Sequence, residues 1–132
     1  MRESTMRIPT ISAIIFCLSG LIWAEPSSLP EGLISPEKAK ALLASDKTTV
    51  LLDVRTPEEF AGGHIAGAQL LPYDGITVKT AAGVIAKKTS TIIVYCRSGR
   101  RSALAATTLR DLGYKTVWDL GGIIDWPYGI EK

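Results

Sequence analysis

The chain has 132 residues, 46% hydrophobic and 21% charged, with a formal net charge of +2. That length gives one domain a real core and leaves little for a second, and the composition is that of a globular chain, not a disordered one. That net charge is too small to argue for nucleic acid or a membrane surface as a partner, and neither is expected.

The first feature in chain order is a targeting segment. Arg2 and Arg7 precede an apolar run from Ile11 to Trp23, and Ala24 is followed by Glu25-Pro26-Ser27-Ser28. A basic start, a short apolar core and a small residue at the break make residues 1–24 a cleaved secretory signal. Ile22 is an unusual residue two positions before the cut, so the exact site stays open. The run is shorter than the ~20 residues that spanning requires, and no stable membrane insertion is expected after cleavage. The mature domain, residues 25–132, is expected in the periplasm or secreted, as a monomer or weak dimer. Removal of Cys17 leaves Cys96 as its single cysteine, which then has no internal disulfide partner.

Ser35-Pro36-Glu37 starts a helix, with Ser35 as N-cap and Pro36 at the first helical position, running to about Ser45. Thr48–Val54 reads as a strand buried on both faces. Thr56 and Glu59 form a capping box for a second, short helix. Residues 62–67 are a turn, and Ala68–Leu71 a short strand stopped by Pro72. Residues 76–88 have helical spacing weakened by Thr80 and Gly83, and are read as helix. Thr91–Tyr95 is a buried strand, Ser102–Leu109 a helix stopped by Gly113. Lys115–Asp119 is a last strand, and Gly121-Gly122 a turn. Strands alternating with helices predict a three-layer α/β/α fold with a mainly parallel, about five-stranded sheet.

The chemistry lies in Cys96-Arg97-Ser98-Gly99-Arg100-Arg101-Ser102. A cysteine between a strand end and a helix start sits among backbone N–H groups without internal partners. Those donors, the helix dipole and three arginines favour a thiolate and would hold an anion beside it. Asp53 and Arg55, at the end of a strand where ligands bind in such sheets, are candidates to support the pocket; the plainer reading is a structural ion pair. His64 reads as part of a turn, not a base. No cluster has metal-ligand spacing, and no cofactor is implied.

These segments together resemble the rhodanese family of single-domain sulfurtransferases, exported type. Leu52–Phe60 is similar to the family's first signature and Gly63–Ala68 continues it. Cys96–Ser102 matches the active loop, and Leu120–Trp126 the closing segment. The resemblance implies a thiosulfate sulfurtransferase. Cys96 would take the outer sulfur of thiosulfate as a persulfide and pass it to cyanide or a thiol. Backbone donors from Arg97 to Ser102 would hold that sulfur, and Arg97, Arg100 and Arg101 would attract thiosulfate and stabilise departing sulfite. Ser98 and Ser102 add hydroxyls, and Gly99 permits the tight curl. Related phosphatases and arsenate reductases place an arginine after a cysteine and five residues; that position is Ser102 here, and the shorter loop suits one sulfur atom. The other alternative is a persulfide carrier or binding module docking a protein partner.

Overall fold

The computed structural model describes residues 32–132; the expected signal, residues 1–24, lies outside them. Four parallel strands form one sheet in the order β2-β1-β3-β4, with β1 at Val50–Asp53, β2 at Gln69–Leu70, β3 at Thr91–Cys96 and β4 at Thr116–Gly122. The sheet has four strands where about five were expected, and Leu33 adds a single parallel bridge to Asp119 on the outer edge of β4. The fold class is the expected one, with one strand fewer.

Alternation along the strands sorts the core into two layers. Leu51, Ile93 and Tyr95 face one side, where they pack with Ala39, Leu42 and Leu43 of α1 (Pro36–Ser45). Leu52, Ile92, Val94 and Cys96 face the other, against Ala81 of α3 (Val78–Val84) and Ala105, Ala106 and Leu109 of α4 (Arg100–Asp111). Strands covered on both faces read as continuous apolar runs because neither face meets water.

The caps fall where local chemistry puts them. Ser35 Oγ accepts from Lys38 N–H at the start of α1. The Thr56–Glu59 capping box opens α2 (Pro57–Gly62). Residues 76–88 contribute only the seven residues of α3, which begins at the cap Thr77 after a short 3-10 turn at Tyr73–Gly75.

β4 departs most from expectation. It runs three residues past Asp119, so Gly121-Gly122 is strand and not turn. A register shift at Val94/Tyr95 skips Leu120 and sets Gly121 opposite Tyr95 and Gly122 opposite Cys96. Gly121 has φ +84°, a left-handed conformation open to glycine and costly for other residues.

The chain leaves β1 toward β2 on one side and returns as β3 on the other. That reversal makes a crevice beyond the carboxyl ends of β1 and β3, the usual ligand position in such sheets. Asp53 and Cys96 end those two strands.

Candidate active site

Cys96 is only 1% exposed, its side chain belonging to the apolar layer beneath α4. Gly99, at φ +111°, reverses the chain and caps α4, so the helix begins at Arg100, two residues before the expected start. The loop thereby folds its own amides around the sulfur. Gly99 N–H donates to Sγ at 3.0 Å. The first amides of α4 have no acceptor inside the helix, and the helix dipole adds positive potential there.

Two opposing effects act on the thiol. Burial pushes its pKa up and is the largest single influence. The hydroxyl and amide of Ser102, with the amides of Gly99 and Ser98, outweigh it and hold the pKa below the ordinary cysteine value. Ser102 is fully buried and its Oγ donates to Gly99 O at 3.0 Å, with Gly121 O at 3.4 Å. A hydroxyl has one proton, so ionisation of Cys96 draws it from these carbonyls toward the sulfur.

β4 closes the loop from behind. A Cβ at Gly122 would collide with the Arg97 carbonyl oxygen and lie 2.8 Å from the Ser98 Cα. Ile124 N–H donates to the same carbonyl at 3.3 Å. Gly122 is thus a residue of the site that sequence reading assigned to a turn. Its signal was present as a Gly-Gly pair in the closing segment, but the contact it permits spans the sheet.

The three loop arginines separate. Arg97 and Arg100 are exposed and form no ion pair with the described residues. Arg101 is engaged by Glu59 in a two-pronged pair, Nη1 to Oε1 at 2.6 Å and Nη2 to Oε2 at 2.9 Å. Ser98 is exposed at the loop's outer bend.

Asp53 and Arg55 form a buried unit behind the loop. Arg55 Nη2 and Nε lie 2.6 and 3.1 Å from Asp53 Oδ2, and Nη2 also donates to Gly63 O at 2.7 Å. Tyr95 OH donates to Asp53 Oδ2 at 2.8 Å and accepts from Ile65 N–H at 3.0 Å. Burial opposes the Arg55 charge, and the Asp53 carboxylate more than offsets it, holding the guanidinium pKa above its ordinary value. Burial and the same carboxylate keep the Tyr95 phenol protonated. The unit ties the Gly63–Ile65 turn to the residue preceding Cys96, an arrangement that braces the pocket from behind.

His64 is likewise bound into the turn. Its ring stacks on Phe60 with centroids 3.8 Å apart, and Nδ1 lies 3.0 Å from Phe60 O. Trp118 and Trp126 pack at the edge of the α1-side layer.

A cysteine at a strand end, enclosed by loop amides, with arginines outside it and a four-part order of motifs, can be compared with known families. Residues 35–127 match the rhodanese-like domain. The chain belongs to that family. A sulfurtransferase of Allochromatium vinosum is 38% identical over 94 residues, covering 70% of this chain and 85% of that protein. The thiosulfate sulfurtransferase PspE of Escherichia coli is 36% identical over 74 residues, covering 56% and 70%. The crystal structure of a rhodanese-like domain protein from Staphylococcus aureus superposes with a TM-score of 0.63 at 32% identity, covering 74% of this chain and 94% of that one. In this rhodanese-like chain the sixth residue after Cys96 is Ser102.

Proposed function

We propose that the protein is an exported thiosulfate sulfurtransferase working through a Cys96 persulfide. The amide-lined thiol with its lowered pKa, in a loop that also carries the exposed Arg97 and Arg100, supports this reading most directly. The Cys96 thiolate attacks the outer sulfur of thiosulfate. A new S–S bond forms to Sγ, the S–S bond of thiosulfate breaks, and its electron pair leaves with sulfite. The terminal persulfide sulfur carries the negative charge into the loop amides, where preorganised donors stabilise it without reorganisation. An acceptor, cyanide or a cellular thiol, attacks that outer sulfur and returns the thiolate. Arg97 and Arg100 attract the incoming dianion and stabilise sulfite as it departs. Residues 1–24 direct the chain to the periplasm or outside the cell, where thiosulfate and small thiols are its partners.

Mass spectrometry of the mature protein after thiosulfate treatment tests the mechanism. One added sulfur on Cys96, absent from Cys96→Ser, is the expected result, together with ping-pong kinetics. No added sulfur from thiosulfate, with loading from a protein persulfide, would assign the carrier role instead. Turnover by Cys96→Ser would exclude the covalent route.

A further inference from the structure

The Glu59–Arg101 pair joins two elements far apart in sequence, 42 residues. Glu59 is the third residue of α2, and Arg101 the second of α4, the helix whose first amides surround the sulfur. The carboxylate is itself held in place. Its Oε1 accepts from Thr56 N–H at 3.3 Å and from the Thr56 hydroxyl at 3.2 Å through the capping box. An anchored carboxylate gripping both prongs of a guanidinium fixes the arginine's direction as well as its charge. Neither partner is freely solvated, at 30% and 21% side-chain exposure for Glu59 and Arg101.

Arg101 nonetheless lies within electrostatic reach of Cys96 and of Tyr73. Unpaired, Arg101 would add a full positive charge at the start of the helix that holds the sulfur. Arg97 and Arg100 have no acidic partner among the described residues, so the pair with Glu59 leaves two uncompensated positive charges. An unpaired Arg101 would strengthen binding of an anionic donor and of its anionic leaving group alike, and uniform binding of that kind slows release without lowering the chemical barrier.

We propose that Glu59 is a positioning residue that sets the charge of the Cys96 pocket by neutralising and orienting Arg101 at the start of α4. This extends the sulfurtransferase reading above, but its test does not need turnover. Cys96 is alkylated with anionic iodoacetate and with neutral iodoacetamide, and the ratio of the two rates reports the local charge. Thiolate absorbance against pH gives a second reading that requires no reagent access.

Glu59→Gln keeps an acceptor for the capping box, which takes Glu or Gln at that position. It should raise the iodoacetate-to-iodoacetamide ratio roughly threefold, the scale of one partly screened charge near the reacting atom, and lower the thiolate midpoint. Arg101→Gln should move both in the opposite direction, because the carboxylate then stands uncompensated. The double variant should return close to the starting ratio. A pair that merely braces the fold would change both reagents alike, or move both single variants the same way, and either pattern overturns the proposal. Tighter sulfite product inhibition in Glu59→Gln is expected where turnover is measured; a chain that transfers no sulfur from thiosulfate but shows opposite ratio shifts would retain the charge-setting role and lose only the thiosulfate reading.

Discussion

Gly122→Ala isolates the contact between β4 and the cysteine loop. Gly122 has φ −103°, which alanine adopts without strain, so the whole effect is steric. The added methyl would meet the Arg97 carbonyl oxygen and lie 2.8 Å from the Ser98 Cα, inside the 3.0 Å that real Cβ contacts essentially never breach. Both atoms are backbone, so no side chain can swing away. The loop must retreat by several tenths of an ångström to about 1 Å, a displacement that costs about 100-fold where reacting groups are held for attack. Overpacking of this kind lowers stability by about 1–3 kcal/mol. Gly121→Ala is the matched control. Its φ of +84° imposes about 1–2 kcal/mol of backbone strain, but no atom lies within 4 Å of the new methyl. Thiosulfate-to-cyanide turnover, measured with urea unfolding of the same samples, should show similar stability losses and sharply different activities. Gly122→Ala turning over within threefold of the parent, or Gly121→Ala losing as much, would refute the reasoning.

Asp53→Asn leaves the Arg55 guanidinium buried without its counter-charge and should cost about 3 kcal/mol in urea unfolding; a loss below 1 kcal/mol would show the pair to be dispensable. Ser102→Ala removes a group that lowers the Cys96 pKa, so the pH midpoint of alkylation should rise and reactivity at neutral pH fall; an unmoved midpoint would assign the effect to the amides alone. The hydrogen bonds from Arg101, reinforced by Thr56 and opposed by burial, lower the Glu59 pKa to about 2 from 4.5. A depressed carboxylate adds stability that is fully present above its unfolded pKa and disappears as pH falls through the folded one. Acid unfolding of Glu59→Gln should therefore be flatter between about pH 4.5 and 2 than that of the parent chain; parallel acid limbs would contradict the pair's contribution.

Much of this architecture was legible because it is local. Ser35 and Thr56 announce their helices within three residues, and the apolar runs at Val50–Asp53 and Thr91–Cys96 announce buried strands. The position of Cys96 at the strand–helix junction followed from its immediate neighbours. What escaped the sequence is pairing at a distance. Nothing near Arg101 signals that its acid is Glu59, and nothing near Asp53 signals the hydroxyl of Tyr95, also 42 residues away. The extension of β4 through Gly121-Gly122 was hidden for a similar reason. A Gly-Gly pair usually marks a turn, and only the register shift at Val94/Tyr95 shows that both glycines belong to the sheet. The sheet has four strands and not about five, with Leu33 meeting the edge of β4 at one residue.

The seat of the loop on Gly122 also bears on when the sulfur becomes reactive. Gly122 lies in the final strand, and parallel partners meet only after the intervening helix has crossed over. The twelve residues of α4 are too few to hold a stable helix alone, so the donors around Cys96 are not fixed until β4 has docked beside β3. An emerging or partly folded chain consequently carries an ordinary, sluggish thiol. The lowered thiol pKa is therefore a property of the assembled sheet and helix, not of the loop sequence alone.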